Sequence, residues 1–385
     1  MTTTRLFPLC VFFGIASTAP VSGAATRVAF ADSFATGRGN AFTATADNPS
    51  AVFYNIGGLT QLEGTQVRGG GYFFSADYEY SGLGGASAEV DSTFQLVPNF
   101  YASHNLEDSP ASVGFGTYAP FTLGMDWSSD APFAAVAYKS EIVYVKFHPV
   151  FAWKISDTLS VGFGPSFDYS DIEIRSTGPL GSFEGEDATV GASASILWRP
   201  SPKHSFGINY QAPTTMHYDG TSTAFGDTDA ELKFPESIGA GYAYRPTPEW
   251  IFEFNLDWTN WDRSDDLTFS PALGPDIAIP LNWESAVNWE LGATRYFDEG
   301  WHVSGGYTFV ENAVPDEEFT PIVPDADRHY FQVGVGRDYG RLSWHFAYQI
   351  VFAPDRSVSG NANVLPNGDY DLDSQGATFS LAYRF

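Results

Sequence analysis

Apolar residues recur along most of this 385-residue chain with a period of two, and helical periodicity is almost absent. About fourteen segments alternate apolar with small or polar residues, most with Tyr, Trp or Phe near their ends, the pattern of strands with two chemically different faces. In one segment Leu159, Val161, Phe163, Phe167 and Tyr169 share a face, opposite Ser160, Gly162, Gly164, Ser166, Asp168 and Ser170. In another, Trp250, Phe252, Phe254, Leu256 and Trp258 alternate with Ile251, Glu253, Asn255 and Asp257. A half-buried strand of a soluble sandwich alternates in the same way. The aromatic spacing argues for a membrane barrel instead. Trp250 and Trp258 stand roughly 20 Å apart along the membrane normal at a ~3.3 Å rise and ~45° tilt, close to the apolar band of an outer-membrane barrel.

The connections supply a second test, because such barrels pair short periplasmic turns with longer outer loops. Short turns are expected at residues 105–110, 156–158, 200–203, 246–248, 298–300 and 338–340. Longer acidic or Gly-rich stretches are expected at 81–88, 121–137, 176–185, 219–229, 262–280, 312–326 and 354–368. Together they predict an all-β protein, a transmembrane antiparallel β-barrel of about fourteen strands over residues 65–385, with both termini periplasmic. Phe379, Leu381, Tyr383 and Phe385 alternate to the end of the chain, and a final strand ending in Phe resembles the assembly signal of outer-membrane proteins. A closed barrel has no free edge, so this strand is expected to pair with the first, near residues 66–80.

Ahead of the barrel, Arg5, the apolar run 6–16 and the small residues Ser22, Gly23, Ala24 and Ala25 have the three regions of a secretory signal peptide over residues 1–24. Its removal would take away Cys10, the single cysteine, leaving no thiol for a disulfide or a metal site. Residues 25–64 show no sustained alternation but carry Phe30, Phe34, Phe42, Phe53, Tyr54 and Leu59, too many apolar anchors for a disordered tail. A plug folded into the lumen is expected. The balance of 46 acidic against 19 basic residues, a net charge of −27, excludes a nucleic-acid partner.

Within the expected plug, Gly37-Arg38-Gly39-Asn40-Ala41-Phe42 is followed by Ala46-Asp47-Asn48-Pro49-Ser50-Ala51-Val52-Phe53-Tyr54-Asn55-Ile56-Gly57-Gly58-Leu59. These residues resemble the hatch of the outer-membrane long-chain fatty acid transporter family, which includes aromatic-hydrocarbon importers. The resemblance extends through Phe234-Pro235-Glu236-Ser237, Trp250, Thr259-Asn260-Trp261, Trp283, Glu284 and Pro324-Asp325-Ala326-Asp327-Arg328 to Phe385. One departure falls in the hatch, where Asn55-Ile56-Gly57-Gly58-Leu59 stands for the family's Asn-Pro-Ala-Gly-Leu. The resemblance implies capture of hydrophobic molecules at an outer apolar groove, an internal pocket gated by the plug (Asn48, Pro49, Asn55, Ile56, Gly57, Gly58, Leu59), and lateral exit beneath a kinked third strand.

The residues suggest candidates for each step. Phe121, Leu123, Met125 and Trp127 are unusually apolar for an outer connection and are expected either to form the capture surface or to pack into the mouth. A short third strand near residues 112–120 carries Gly114 and Gly116 and ends at Pro120, which predicts weak pairing and a lateral gap. A fatty-acid carboxylate needs a cation or donors in a low-dielectric pocket. Alternation turns Lys146, His148, Arg328 and His345 inward, with Arg328 the first candidate and Lys146 the second, although inward Glu253, Asp257, Glu284 and Glu290 are available to pair with them. Long-chain fatty acids are the first expected cargo and a water-filled porin for polar solutes is the alternative. No Gly-x-Ser-x-Gly elbow or Ser/His pairing suggests an enzyme. Asp369, Asp371 and Asp373 open like a calcium loop, but Ser374 and Ser380 stand where its glycine and late carboxylate belong, so neither metal nor cofactor is expected. The remaining expected partners are membrane lipid and lipopolysaccharide, around a monomer.

Overall fold

The computed structural model describes residues 25–28, 30–90 and 95–385; the expected signal peptide lies outside the described residues. Fourteen antiparallel passes close into a barrel. We number them β1 (Thr65–Gly82), β2 (Gln95–Asn105), β3 (Ala111–Asp126), β4 (Lys139–Lys154), β5 (Leu159–Arg175), β6 (Phe183–Ser201), β7 (His204–Gln211 with Thr214–Ser222), β8 (Gly226–Phe234 with Ser237–Thr247), β9 (Trp250–Thr259 with Asp266–Pro271), β10 (Ile277–Pro280 with Ala286–Tyr296), β11 (Trp301–Val310), β12 (Arg328–Tyr339), β13 (Leu342–Phe352) and β14 (Gly368–Arg384). Closure joins β1 to β14 without interruption from Gln66↔Arg384 to Gly82↔Gly368. Every ladder is antiparallel, so short turns collect at one end, the turn end, and longer connections at the other, the loop end.

Alternation decides what each face meets. Phe163, Phe167 and Val190 point outward, 55%, 57% and 64% exposed, while Ser160, Ser166, Asp168 and Ser170 on the opposite face are buried in the lumen. An apolar exterior around a satisfied backbone is what a bilayer-spanning barrel requires. Two expected loops are shorter than their sequence suggested. The connection read at 219–229 reduces to residues 223–225, because the β7 and β8 strands continue through it. The stretch 262–280 likewise contains two strand pieces paired from Asp266↔Pro280 to Phe269↔Ile277. The four composite passes break at Ala212-Pro213, Pro235-Glu236, residues 260–265 and residues 281–285. Proline has no N–H to donate to a ladder, and here Asn260 replaces that bonding by donating its N–H to Glu236 O (3.0 Å) and its Nδ2 to Glu236 Oε1 (2.8 Å).

The segment before β1 lies inside this wall. Asp32 caps α1 (Ser33–Gly37) by accepting from the Phe34 and Ala35 N–H groups, and α2 (Ala51–Tyr54) leads into a 3-10 turn, Ile56–Gln61. Bonds reach it from all round the barrel: Tyr101 Oη donates to Ala31 O (2.9 Å), Asn209 Nδ2 to Phe53 O (3.1 Å) and Thr308 Oγ1 to Gly39 O (3.0 Å). The Arg38-Gly39 turn lies directly on glycines of the wall. A Cβ on Gly292 would stand 1.9 Å from Arg38 O, one on Gly306 2.0 Å from Gly39 N, and Gly39 itself has φ +69°. The hatch departure is accommodated, since Gly57 N donates to Ser195 Oγ (3.0 Å) and Asn55 Nδ2 donates to both Thr43 O (2.8 Å) and Ile196 O (3.0 Å).

Candidate functional site

At the loop end the lumen holds a cavity of about 450 Å³ walled mainly by aliphatic and aromatic side chains. Ile142, Ile172, Phe183, Leu232, Phe269 and Trp283 supply its sides from β4, β5, β6, β8, β9 and the break in β10. These are inward positions of strands whose inward residues nearer the turn end are polar, as where Ser166, Asp168 and Ser170 give way to Ile172 and Ile174 along β5. The volume lies within the range of small-ligand sites, and the apolar walls attract without directional demands. An aromatic floor adjoins it at Trp283. Phe121 meets Phe234 (ring centroids 4.9 Å), Tyr144 (5.4 Å) and Trp261 (5.9 Å), and Trp261 meets Trp283 (5.1 Å).

The second element of the site is an uncovered strand edge. β2 and β3 pair only from Phe100↔Thr117 to Asn105↔Ser112, so among the described residues Tyr118–Asp126 has no β2 partner, although it stays paired with β4. A bulge sets this divergence: Tyr118↔Lys146 and Phe121↔Tyr144 place an extra residue on β3 at Ala119-Pro120. The N-terminal segment occupies the edge in place of β2. Val28 N donates to Pro120 O (2.8 Å), Thr122 N donates to Thr26 O (2.9 Å), and Arg27 bridges Phe121. Thr26 and Leu123 also line the cavity, so one short strand of the N-terminal segment lies between cavity and divergent edge.

That strand is anchored at both sides. Arg27 crosses the lumen to an ion pair with Asp257 on β9 and donates to Thr259 Oγ1 (2.6 Å). Burial acts to lower the Arg27 pKa, and the Asp257 carboxylate overcomes it and holds the guanidinium charged. Ala25 N donates to Asp325 Oδ2 (2.9 Å), and Arg328 Nη1 donates to Asp325 Oδ1 (2.6 Å). Deeper in the lumen, Arg38 pairs with Glu253 (2.9 Å), whose oxygens also accept from Ala44 N and Thr45 Oγ1 (2.7 Å each). Asn40 Nδ2 donates to Glu290 Oε1 (2.7 Å), and Arg68 of β1 pairs with Asp32. Burial, with Asp32 and Glu290 nearby, keeps the Tyr54 phenol well above its usual pKa, so it stays a donor to Asn40 Oδ1 (2.7 Å).

The residues singled out from sequence fall into different places. Phe121, Leu123 and Met125 belong to β3, which runs on past Pro120 to Asp126, so they are strand residues and not an outer loop, and all are buried with Trp127. The third strand is therefore long and bulged. Gly114 and Gly116 lie in its fully paired part, where a Cβ would meet Leu59 (2.7 Å) and Val52 (2.9 Å) of the plug, and the edge diverges only beyond them, at Pro120. Lys146 pairs with Asp168 (3.2 Å), and His148 hydrogen-bonds Tyr118 (2.8 Å) and Ser193 (2.7 Å). Neither they nor Arg328 line the apolar cavity. His345 stacks on His302 (5.2 Å) under Phe34. Asn48 and Pro49 line a polar cavity of about 540 Å³ at the turn end. Asp369, Asp371 and Asp373 lie along β14, paired with β1, and no metal-binding group occurs among the described residues.

These features agree with what comparison finds. Residues 15–385 match a family described as outer membrane protein transport protein (OMPP1/FadL/TodX). The long-chain fatty acid transport proteins of Salmonella typhi and Escherichia coli K12 are each 20% identical, over 91% of this chain and 91% of theirs. The fold matches a Pseudomonas aeruginosa FadL homologue with TM-score 0.80 at 17% identity, covering 94% of this chain and all of the other. It also matches the Ralstonia pickettii toluene transporter TbuX with TM-score 0.71 at 14% identity, covering 92% and 98%. With a closed fourteen-stranded wall and a family match over nearly its whole length, the chain belongs to the FadL/TodX family of outer-membrane transporters of hydrophobic compounds.

Proposed function

We propose that this protein is a passive importer. It captures hydrophobic molecules at the loop end, holds them in the apolar cavity, and releases them sideways along the divergent edge of β3. The observation that carries this reading is the position of residues 25–28, which bond to the β3 edge while Thr26 faces the cavity. Withdrawal of that strand alone joins cavity to edge, and the anchored remainder of the plug keeps the lumen closed to water and ions. A steadily open porin needs no such plug. Among the cargoes named for relatives, a long acyl chain and an aromatic ring both suit these walls, and the turn end faces the periplasm in this scheme.

The test is a lock. Thr26 and Thr122 stand opposite each other, and opposed antiparallel residues have Cβ atoms about 4.5–5.5 Å apart. The Thr26→Cys/Thr122→Cys protein, oxidised, should bind a radiolabelled fatty alcohol in detergent yet transport it into cells at under a tenth of the reduced rate. Equal transport by oxidised and reduced protein, with the crosslink verified, would overturn the lateral route.

A further inference from the structure

The cavity has no counter-charge for an anion. Among the described residues that line it there is no Lys, Arg or His, and its charged residues are Glu317 and Glu318. Cations beside its wall are already engaged: Arg27 with Asp257, Lys139 with Glu173 (2.6 Å), Arg175 with the same carboxylate, and Arg356 with Asp316 (2.7 Å). We propose that Glu317 and Glu318 are specificity-determining residues that make the cavity select neutral hydrophobic molecules over those bearing a carboxylate. This rests on the importer reading above and narrows its cargo, reversing the sequence expectation of fatty acids first.

The loop that carries the two glutamates is held in place. Arg356 Nη2 donates to Val314 O (2.6 Å) and Asp316 Oδ1 (2.7 Å), its Nη1 donates to Asn312 Oδ1 (3.0 Å), and its guanidinium lies 4.7 Å from the Phe319 ring centre. From the neighbouring loop, Asn361 Nδ2 donates to Asp316 O (2.9 Å) and Phe319 O (2.7 Å), and Ala362 N donates to Glu317 O (2.9 Å). Asn282 Nδ2 fixes the Glu318 carboxylate from a third side (2.8 Å). An entering carboxylate thus meets two like charges on a tied-down loop, and deeper in it meets mainly apolar walls that offer no cation. A hydroxyl has no charge for them to repel and loses far less hydration.

The experiment compares 1-hexadecanol with hexadecanoate at pH 8.5, two probes with the same chain length, by quenching of tryptophan fluorescence in the full-length purified protein at low salt. The alcohol should bind at least tenfold more tightly. The Glu317→Gln/Glu318→Gln protein should tighten hexadecanoate at least threefold with hexadecanol unchanged, and 0.5 M salt should narrow the ratio in the parent protein but not in the variant. Equal or tighter binding of the carboxylate, or a ratio indifferent to the double substitution, would overturn the selectivity. An Arg356→Lys protein separates charge from the order of this loop: the ratio should persist while both probes dissociate faster. Saturable binding of neither probe would overturn the importer reading itself, and this one with it.

Discussion

The two halves of the lumen share one barrel and one alternation of strands, yet their inward residues solve opposite problems. Towards the turn end they are Glu253, Asn255, Glu290, Asp168 and Arg68, which meet Arg38, Asn40 and Asp32 of the plug or one another through directional bonds. Towards the loop end they are Ile142, Ile172, Leu232 and Phe269, which meet one another across empty space. Buried ion pairs add little net stability, but breaking one strongly penalises any other arrangement, so they fix the plug in one position. Dispersion and the hydrophobic effect carry no such directionality, so the walls of the upper half place no directional demand on what they meet. One half specifies its occupant and the other admits many.

The sharpest way to break this contrast is to unpair the lower half. Glu253→Ala leaves the Arg38 guanidinium buried without its carboxylate and strips Ala44 N and Thr45 Oγ1 of their acceptor. Removing one partner of a buried pair costs about 3–5 kcal/mol, and here the loss falls on the plug more than on the wall. Planar-bilayer recordings should show frequent ion-conducting openings in the variant and almost none in the parent. A silent variant would mean that packing alone retains the plug.

Much of this division was legible in the sequence, and the exceptions have physical reasons. Strand number, closure of β14 on β1 and the facing of the Trp250 to Trp258 segment follow from period two, which is local and survives without tertiary information. The apolar anchors of residues 25–64 likewise announced a folded segment. The cavity did not announce itself, because a strand such as β5 reads polar-inward until Ser170 and then turns apolar-inward at Ile172 and Ile174, where the outward residues become Asp171, Glu173 and Arg175 and the alternation inverts. That inversion was itself the missed signal. Pro120 was read as an end because proline usually is one; a bulge let β3 absorb it and carry Phe121, Leu123 and Met125 onward. Inward acids were expected to pair with basic residues, but Glu253 and Arg38 lie 215 positions apart, and no local pattern encodes which pairs form.

Perturbing the upper half should touch binding and leave the plug alone. Leu232→Ala and Phe269→Ala each remove apolar surface from the cavity wall, worth about 1–2 kcal/mol of contact with a long alkyl probe, or roughly fivefold to thirtyfold in Kd. Isothermal titration with hexadecanol should register that loss, and bilayer recordings should stay silent. Openings in either variant would show that the two halves are coupled through the aromatic floor at Phe121 and Trp261.

The smallest effect is expected where a charge pair joins plug and wall without burial. Glu63, between the 3-10 turn and β1, lies 4.0 Å from Arg384 of β14, but the two side chains are 88% and 51% exposed, against 0% for both Glu253 and Arg38. Water screens the outer pair and neither group loses hydration on forming it, so its coupling should fall in the range of about 0–1 kcal/mol typical of surface pairs. Parallel double-mutant cycles, Glu63→Gln with Arg384→Gln and Glu253→Gln with Arg38→Gln, read by denaturant unfolding, separate the two cases. A large coupling for the inner pair and none resolvable for the outer would establish burial as what converts a salt bridge into a positional lock. Similar couplings would instead make the sign of the charge sufficient, and the contrast between the two halves of the lumen would reduce to composition.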